Sequence, residues 1–499
     1  MKPCASLCAC SAVALGLAAA CGVEVRGAEP GLQVASSAVL ASSVIVNGVQ
    51  WADSAGNPIH AHGGGITKVG AFYYWFGENR NPDFTFKAVA TYRSTDLRNW
   101  EFRGNALASS AAAELNHANI ERPKVVFNAS TGRYVMWMHW ENGDDYGEAR
   151  AAVASAPTIE GPYAYLGSFR PYADRGIIDH GKPGYMSRDC NLFVDSDGAA
   201  YFISASNENL DLNLYRLSAD YLSITALVTR LFPGSQREAP VLFKRNGVYF
   251  LLTSGATGWA PNQAKYATSS GLATGWSSLT NIADSTAFHS QSTTVIAVQG
   301  SATTSYLYAG DRWAGAWSGP YLDSMYVWIP LGFPSNTSMT MTWSPSLTVD
   351  TGSGAVAAAG SSFTFTSAGS GQVMEVKAGS TADNAAVAQF PSNGGANQRW
   401  APSYDGAGYF VLANANSGKV LDVPSAATTD GTRLIQFTSN GGDNQKWRII
   451  DLGGGSVRIV NKHSGKVAEV FEAATAAGAV IDQATVDGGE HQIWQMTVP

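Results

Sequence analysis

Charged residues are scarce in this sequence. Asp, Glu, Lys and Arg make up 14% of the 499 residues, against about 25% in an ordinary soluble domain. Helical bundles and coiled coils need many such residues on their outer faces, so the scarcity argues against both. The hydrophobic fraction of 45% argues against disorder. The net charge of −7 leaves no basic excess to neutralise phosphates, so we expect no nucleic-acid partner.

Cysteine is also scarce, and four of the five cysteines fall within the first 21 residues: Cys4, Cys8, Cys10 and Cys21. The apolar run from Ser11 to Ala20 ends in small residues, which predicts a secretory signal over residues 1–28 that is cut after residue 20 or 28. We therefore expect a secreted protein, with a lipid-anchored N-terminus at Cys21 as the alternative.

Cleavage leaves at most Cys21 and Cys190, so the mature protein has no disulfide framework. Cys190 begins an apolar stretch and is expected to be a small buried core residue. No later segment approaches about 20 continuous apolar residues, so no membrane span is expected.

Glycine and aromatic residues are abundant, and two repeat systems organise them. The sharper system places three Gln-x-Trp triplets 47 residues apart. The triplets are Gln398-Arg399-Trp400, Gln445-Lys446-Trp447 and Gln492-Ile493-Trp494. A fixed period of this length indicates repeated supersecondary units around one shared core. Residues 362–499 resemble the ricin B-type β-trefoil, the fold of family 13 carbohydrate-binding modules.

The trefoil resemblance implies a sugar pocket in each repeat, built from an early acid, an aromatic residue and the Asn before the Gln-x-Trp triplet. The second repeat matches with Asp422, Phe437 and Asn444, and the first repeat matches with Glu375, Phe390 and Asn397. A carboxylate and an amide can hold vicinal hydroxyls while the ring covers the apolar face of the sugar. The third repeat has Glu469, Ala484 and His491, and its lack of an aromatic ring puts that pocket in doubt.

The looser system repeats an apolar strand, a turn and an aromatic strand five times upstream of the trefoil. Five such units predict a five-bladed β-propeller over residues 35–348, each blade a four-stranded sheet. Residues 349–361 are mostly small, with glycine and serine around Asp350–Gly354, so we expect a short flexible linker there. The predicted fold class is all-β, a five-bladed propeller followed by a β-trefoil.

Each predicted blade opens with a polar phrase, and the starts of the innermost strands meet at one mouth of a propeller. The phrases are His60-Ala61-His62, Glu121-Arg122-Pro123, Ser187-Arg188-Asp189, Arg237-Glu238-Ala239-Pro240 and Ser290-Gln291-Ser292. A single phrase of this kind would be a surface charge at a strand end, but five in the same register predict a site.

With these phrases the chain resembles glycoside hydrolase family 43, specifically its exo-β-1,3-galactanase subgroup. The matching phrases run in order through the propeller: Ala61-His62-Gly63-Gly64-Gly65, Trp75-Phe76-Gly77-Glu78-Asn79, Glu121-Arg122-Pro123-Lys124-Val125, Met136-Trp137-Met138-His139, Ser187-Arg188-Asp189, Glu238-Ala239-Pro240, Thr257-Gly258-Trp259, Ser290-Gln291-Ser292 and Gly310-Asp311-Arg312-Trp313. The resemblance implies an inverting exo-hydrolase that releases galactose from the non-reducing end of β-1,3-galactan, the backbone of arabinogalactan.

Inverting cleavage needs a general acid and a group that activates water on the opposite face of the sugar. We expect Glu238 to be the acid, because burial before an apolar strand raises a carboxyl pKa. Asp189 is expected to tune that pKa, and Glu121 to orient the sugar. The resemblance assigns water activation to Gln291, which acts by orienting water or through its imidic tautomer. The alternative is that Glu121 is the base and Gln291 only positions the water.

Rings and polar groups around a bound sugar complete the predicted site. The candidate platforms are Trp75, Tyr146, Trp259 and Trp313, and the candidate hydroxyl partners are Glu78 and Thr257. We expect no metal or other cofactor, a polysaccharide partner and a monomeric protein. Two other readings stay open: another family 43 glycosidase, such as an arabinofuranosidase or xylosidase, and a non-catalytic secreted lectin.

Overall fold

Five four-stranded antiparallel sheets follow one another in the computed structural model, which describes residues 44–499. Their strands are His62–Val69, Phe72–Arg80, Phe86–Ser94 and Glu101–Ala108 in blade 1; Asn119–Asn128, Arg133–Glu141, Arg150–Ala156 and Ala164–Phe169 in blade 2; Cys190–Val194, Ala200–Ser206, Asp211–Leu217 and Ile224–Leu231 in blade 3; Arg237–Arg245, Val248–Gly255, Lys265–Ser269 and Thr280–Asn281 in blade 4; and Gln291–Gln299, Thr304–Arg312, Met325–Gly332 and Thr340–Met341 in blade 5. The predicted leader, residues 1–28, lies outside the described residues.

The first strand of each blade contacts the first strand of the next blade, and blade 5 returns to blade 1. These strands therefore line the central axis of the predicted five-bladed propeller, which is confirmed. Apolar side chains fill the space between blades; Trp137 of blade 2, for example, packs on Phe202 of blade 3 with ring centroids 4.7 Å apart. Close packing of this kind fixes each inner strand against its neighbours.

Four of the five inner strands carry a β-bulge near their start, and in three of them it directly follows His62, Glu121 or Glu238. The residue after His62, Glu121 and Glu238 has a positive φ in each case: Gly63 at 62°, Arg122 at 55° and Ala239 at 49°. A bulge bends the strand and redirects its side chains. The bulges thus bend the inner strands at three of the five predicted polar phrases.

The stretch predicted as a flexible linker, residues 349–361, is instead largely ordered as part of a three-stranded sheet. Ala355–Ala358 pairs with Ser346–Asp350, which also pairs with the early segment Val44–Val46. The small polar residues of the Asp350–Gly354 turn allow a tight reversal, since Gly354 has a φ of 83° and donates its N–H to Asp350 O (2.8 Å). A composition typical of a linker therefore marks a hairpin turn here.

The C-terminal module is built from 13 further strands. They are Thr364–Ser367, Val373–Val376, Ala385–Phe390, Trp400–Tyr404, Phe410–Asn414, Val420–Asp422, Thr432–Arg433, Ile435–Phe437, Trp447–Gly453, Ser456–Asn461, Val467–Val470, Ile481–Ala484 and Trp494–Thr497. The three triplet tryptophans are fully buried, and each indole N–H donates to a backbone carbonyl 26 residues earlier. The predicted trefoil and its Gln-x-Trp core are confirmed.

All helices in the described residues are short 3₁₀ turns. They cover Ser109–Ala111, Ala113–Leu115, Ala173–Arg175, Ala314–Trp317, Tyr321–Asp323, Lys377–Gly379, Ala396–Gln398, Pro424–Ala426, Asp443–Gln445, Phe471–Ala473 and Glu490–Gln492. Within residues 44–499, no helix has the length and apolarity needed to cross a membrane. Cys190 is buried with a free thiol, as expected, and burial raises its pKa to about 12.

Candidate active site

A cavity of about 430 Å³ opens where the inner strands of the propeller begin. Eight of the predicted site residues line it: Glu78, Glu121, Tyr146, Asp189, Glu238, Trp259, Gln291 and Trp313. Thr257 is outside the lining, and its hydroxyl donates to Ala260 O (2.6 Å) within its own loop. The prediction that Trp75 is a platform for the sugar is wrong, because its ring is buried against Trp100 and Trp328 in the core.

Both oxygens of the Glu238 carboxyl accept hydrogen bonds from side-chain amides in this cavity. Gln291 Nε2 donates to its Oε1 (2.8 Å), and Asn209 Nδ2 donates to its Oε2 (3.2 Å). Burial, reinforced by the neighbouring charge of Asp189, raises the pKa of Glu238 to about 8. At neutral pH the carboxyl therefore holds its proton, as a general acid must.

Asp189 lies directly beside that acid. Its Oδ2 accepts from the backbone N–H of Ala239 (3.1 Å), the residue that follows Glu238. Arg122 Nη2 lies 3.0 Å from the same oxygen and forms an ion pair with it. These contacts fix the Asp189 carboxylate where its charge opposes ionisation of Glu238.

The orientation of the Gln291 amide follows from its partners. Its Oε1 accepts from Arg122 Nη2 and from Trp313 Nε1 (2.8 Å), and both of those groups can only donate. The amide nitrogen must then face Glu238 and Ser254 Oγ (3.0 Å). Every lone pair of the amide oxygen therefore faces a donor, and the amide nitrogen donates directly to Glu238.

Glu121 is held as a carboxylate by cationic and hydroxyl partners. Its Oε1 accepts from Arg80 Nη2 (2.9 Å) and Tyr146 Oη (2.6 Å), and its Oε2 lies 3.1 Å from His139 Nδ1. Burial opposes ionisation, but His139 and Arg80 outweigh it and hold the pKa of Glu121 well below its usual range. Glu121 is thus an ionised neighbour of a protonated Glu238.

His139 is a charged imidazolium between two acids. Its Nε2 lies 2.8 Å from Glu141 Oε1, and its Nδ1 faces Glu121. Burial alone would lower the pKa of His139, but its hydrogen bonds to the two glutamates raise it to about 10. The ligand atoms of Glu121, His139 and Asp189 lie within 4.8 Å of one another. Because both ring nitrogens already face carboxylates, the ion pairs alone account for this cluster.

Glu78 anchors the opposite wall of the cavity. Its Oε2 accepts from Arg80 Nη2 (2.9 Å) and Tyr321 Oη (2.8 Å), and its Oε1 accepts from the Arg122 N–H (2.9 Å). A Cβ at Gly63 would lie 2.0 Å from Glu78 Oε1, so only glycine allows this approach. Glu78 thus links three blade segments as well as facing the cavity.

Ten of the residues that line the cavity were absent from the sequence-based prediction, and five of them contact the predicted acids: Arg80, Arg122, His139, Asn209 and Tyr321. Arg122 and His139 lie inside the polar and aromatic phrases Glu121-Arg122-Pro123 and Met136-Trp137-Met138-His139, so their position in the sequence is a usable signal. Arg80 is two residues beyond Glu78 on the same strand, a spacing that returns it to the same face. Tyr321 comes from a 3₁₀ turn with no sequence signal.

The trefoil places its predicted sugar-binding groups together in the second repeat. Asn444 Nδ2 and Gln445 Nε2 donate to Asp422 Oδ2 at 3.2 and 2.7 Å, and the Phe437 ring is partly exposed. The first repeat keeps one of these two hydrogen bonds, since Gln398 Nε2 donates to Glu375 Oε2 (2.9 Å). Phe390 and Asn397 are partly exposed there.

The third repeat differs from the other two at the position of the Asn. His491 Nε2 lies 3.3 Å from both Glu469 Oε2 and Asp487 Oδ2. The imidazole is therefore engaged with acids where the second repeat presents an amide, and Ala484 supplies no ring.

Comparison with known proteins agrees with both resemblances. Residues 57–308 match Glycosyl hydrolases family 43, and residues 349–437 and 443–499 match the Ricin-type beta-trefoil lectin domain-like family. An exo-β-1,3-galactanase structure from Clostridium thermocellum is 52% identical, covers 92% of this chain and 100% of its own, and has a TM-score of 0.63. No curated protein matches the chain.

Two further structures are more distant. An exo-β-1,3-galactanase from Phanerochaete chrysosporium with galactose is 30% identical, covering 91% of this chain and 100% of its own, with a TM-score of 0.59. A family 43 β-1,3-galactosidase with galactodeoxynojirimycin is 36% identical, covering 60% of this chain and 98% of its own, with a TM-score of 0.55.

Proposed function

We propose that this chain, which belongs to family 43 of the glycosyl hydrolases, is an exo-β-1,3-galactanase that releases galactose from the non-reducing end of β-1,3-galactan with inversion. One observation carries the proposal: a single cavity holds a carboxyl whose pKa is raised to about 8 beside carboxylates that are held in ion pairs. Environments that separate the pKa values of neighbouring acids assign them opposite roles in proton transfer.

Glu238 acts as the general acid. Its proton passes to the glycosidic oxygen as the bond to the anomeric carbon breaks, which leaves Glu238 as a carboxylate. Gln291 and Asn209 each donate to one oxygen of Glu238, so both donors also stabilise the carboxylate that forms. Burial, together with the charge of Asp189, keeps Glu238 protonated before the reaction, so removing the Asp189 charge lowers that pKa.

Glu121 takes the proton of the attacking water, and Gln291 is a positioning residue. An inverting enzyme places a water between its two groups, which stand roughly 6.5–9.5 Å apart. Gln291 Nε2 donates a hydrogen bond directly to Glu238 Oε1 (2.8 Å), which leaves no room for a water between these two side chains. Its amide oxygen already accepts two donors, so an imidic O–H would face them unfavourably. Glu121 is a carboxylate on a blade that is not adjacent to that of Glu238.

The transition state resembles an oxocarbenium ion, so the water needs little deprotonation before it attacks. The lowered pKa makes Glu121 a weak base, so it accepts the proton only after the attacking oxygen has bonded to the anomeric carbon and become acidic. Trp259, which is 42% exposed at the rim, offers a flat face to the sugar.

Three polysaccharides distinguish the proposal from the other two readings. The purified full chain is incubated with β-1,3-galactan, arabinan and xylan, and the free monosaccharides are measured. Galactose from the galactan alone supports the proposal, and a pentose would instead indicate another family 43 specificity. Binding without any product would indicate a lectin. A Glu238→Gln variant serves as the control for contaminating hydrolases.

The trefoil binds carbohydrate and keeps the enzyme on its polymer, with the second-repeat pocket of Asp422, Phe437 and Asn444 as the principal site. Action as a monomer is part of the same proposal. The apolar run before Cys21 supports export from the cell. N-terminal sequencing of the mature protein from culture medium, and of the membrane fraction, tests export against lipid anchoring.

A further inference from the structure

The trefoil contacts the propeller at segments that carry residues of the cavity. The turn between its strands Trp400–Tyr404 and Phe410–Asn414 lies against Arg312, His289 and Trp317 of the propeller. The fit is tight: a Cβ added to Gly408 would lie 3.1 Å from the Trp317 indole. None of these contacts uses a predicted sugar-binding residue, so they point to a second role for the trefoil.

Arg312 is the first link. Its guanidinium lies 3.8 Å from the centre of the Tyr404 ring and 5.1 Å from that of Trp343. Its Nε and Nη2 donate to Phe288 O at 3.2 and 3.1 Å. Among residues 44–499 no carboxylate pairs with Arg312, although it is almost fully buried. A buried cation of this kind depends on its aromatic neighbours, and one of them belongs to the trefoil.

The residues on each side of Arg312 hold the cavity together. Asp311 accepts from the Gly63 N–H (2.6 Å) and lies 3.2 Å from His62 Nδ1. Trp313 Nε1 donates to Gln291 Oε1 (2.8 Å). The Nε2 of the same amide donates to Glu238 Oε1. A shift of Arg312 would therefore move the partner of Gln291.

A second link runs through an ion pair. Arg448 Nη2 of the trefoil lies 2.8 Å from Asp323 Oδ2, in the 3₁₀ turn Tyr321–Asp323. Tyr321 Oη donates to Glu78 Oε2 (2.8 Å), and its ring stacks on Trp313 with centroids 5.7 Å apart. The two links thus converge on Trp313 from different sides.

We propose that the trefoil maintains the shape of the catalytic cavity, with Tyr404 acting through Arg312 and Arg448 acting through Asp323 as positioning residues. The inference rests on the proposed hydrolase function. It predicts that the trefoil contributes to turnover of substrates too small to benefit from capture by a sugar-binding module.

The test uses full-length variants and β-1,3-galactobiose, a small soluble substrate. Tyr404→Ala is compared with Tyr404→Phe, which keeps the ring, and Arg448→Ala with Arg433→Ala, an exposed arginine elsewhere on the trefoil. We expect Tyr404→Ala to lower kcat/KM at least about tenfold, because small misplacements of positioned groups cost that much or more. Tyr404→Phe and Arg433→Ala should stay within about twofold of wild type.

The pH profile separates positioning from general destabilisation. The hydrogen bond from Gln291 lowers the pKa of Glu238, so its loss raises that pKa. The alkaline limb of kcat/KM should therefore move to higher pH in Tyr404→Ala, and melting curves check that the variant is folded. If Tyr404→Ala does not fold, Arg448→Ala gives the same test at a more exposed contact.

Wild-type kinetics and an unchanged alkaline limb in both folded alanine variants would overturn the inference. Failure of the wild-type protein itself to release galactose from the disaccharide would instead refute the proposed function. The two failures are therefore distinguishable in one set of assays.

Discussion

Replacing Glu238 with glutamine is expected to stabilise the protein at alkaline pH while abolishing its activity. The shift of the Glu238 pKa from 4.5 to about 8 corresponds to roughly 5 kcal/mol against the carboxylate, at about 1.4 kcal/mol for each pKa unit. Because the folded pKa is the higher one, the contribution of Glu238 to stability is fully present below pH 4.5 and is lost as the pH rises through 8. Glutamine does not ionise, so the variant avoids this loss.

The assay is thermal unfolding of wild type and Glu238→Gln between pH 4 and 9. The difference in Tm should grow in favour of the variant from about pH 4.5 and level off above about pH 8, reaching several degrees. Glu490→Gln, an exposed glutamate on the trefoil, is the matched control and should show no such trend. A Tm difference that is constant across this range would refute the assignment of Glu238 as the buried, protonated acid.

Three further predictions concern catalysis and binding. The kcat/KM of the wild type should fall above about pH 8, where Glu238 loses its proton. In Asp189→Asn this fall should begin at lower pH, because the charge of Asp189 raises the pKa of Glu238. Azide should restore activity to Glu121→Ala and not to Gln291→Ala, because only the first lacks its base; rescue of Gln291→Ala alone would reverse the assignment. Phe437→Ala should weaken retention on insoluble galactan severalfold and leave galactobiose hydrolysis unchanged, as measured by pull-down and initial rates.

Local patterns were enough to predict the architecture. Each blade and each trefoil repeat buries its own alternating apolar face, so strand and turn signals recur at readable intervals. The register of Glu121, Asp189, Glu238 and Gln291 at the start of successive inner strands also predicted that these side chains meet, and all four line one cavity.

Contacts between distant segments were beyond such patterns. Trp75 lies within a strand-like phrase and Trp259 follows one, yet Trp75 is in the core and Trp259 at the rim. Trp75 is buried by Trp100 of its own blade and by Trp328 of blade 5, which is 253 residues away along the chain. The pairing of residues 355–358 with 346–350 was hidden by a linker-like composition. Tyr321 reaches Glu78 across 243 residues of sequence, and no local periodicity encodes that meeting.

The most direct test of the account is ¹H NMR of the first sugar released from β-1,3-galactan by the full-length wild-type protein. An inverting exo-hydrolase that acts on a β linkage yields α-galactose first, with the β anomer appearing only as the product mutarotates. Initial release of α-galactose, absent with Glu238→Gln, is the predicted result. Initial release of β-galactose, or of oligosaccharides in place of galactose, would contradict it.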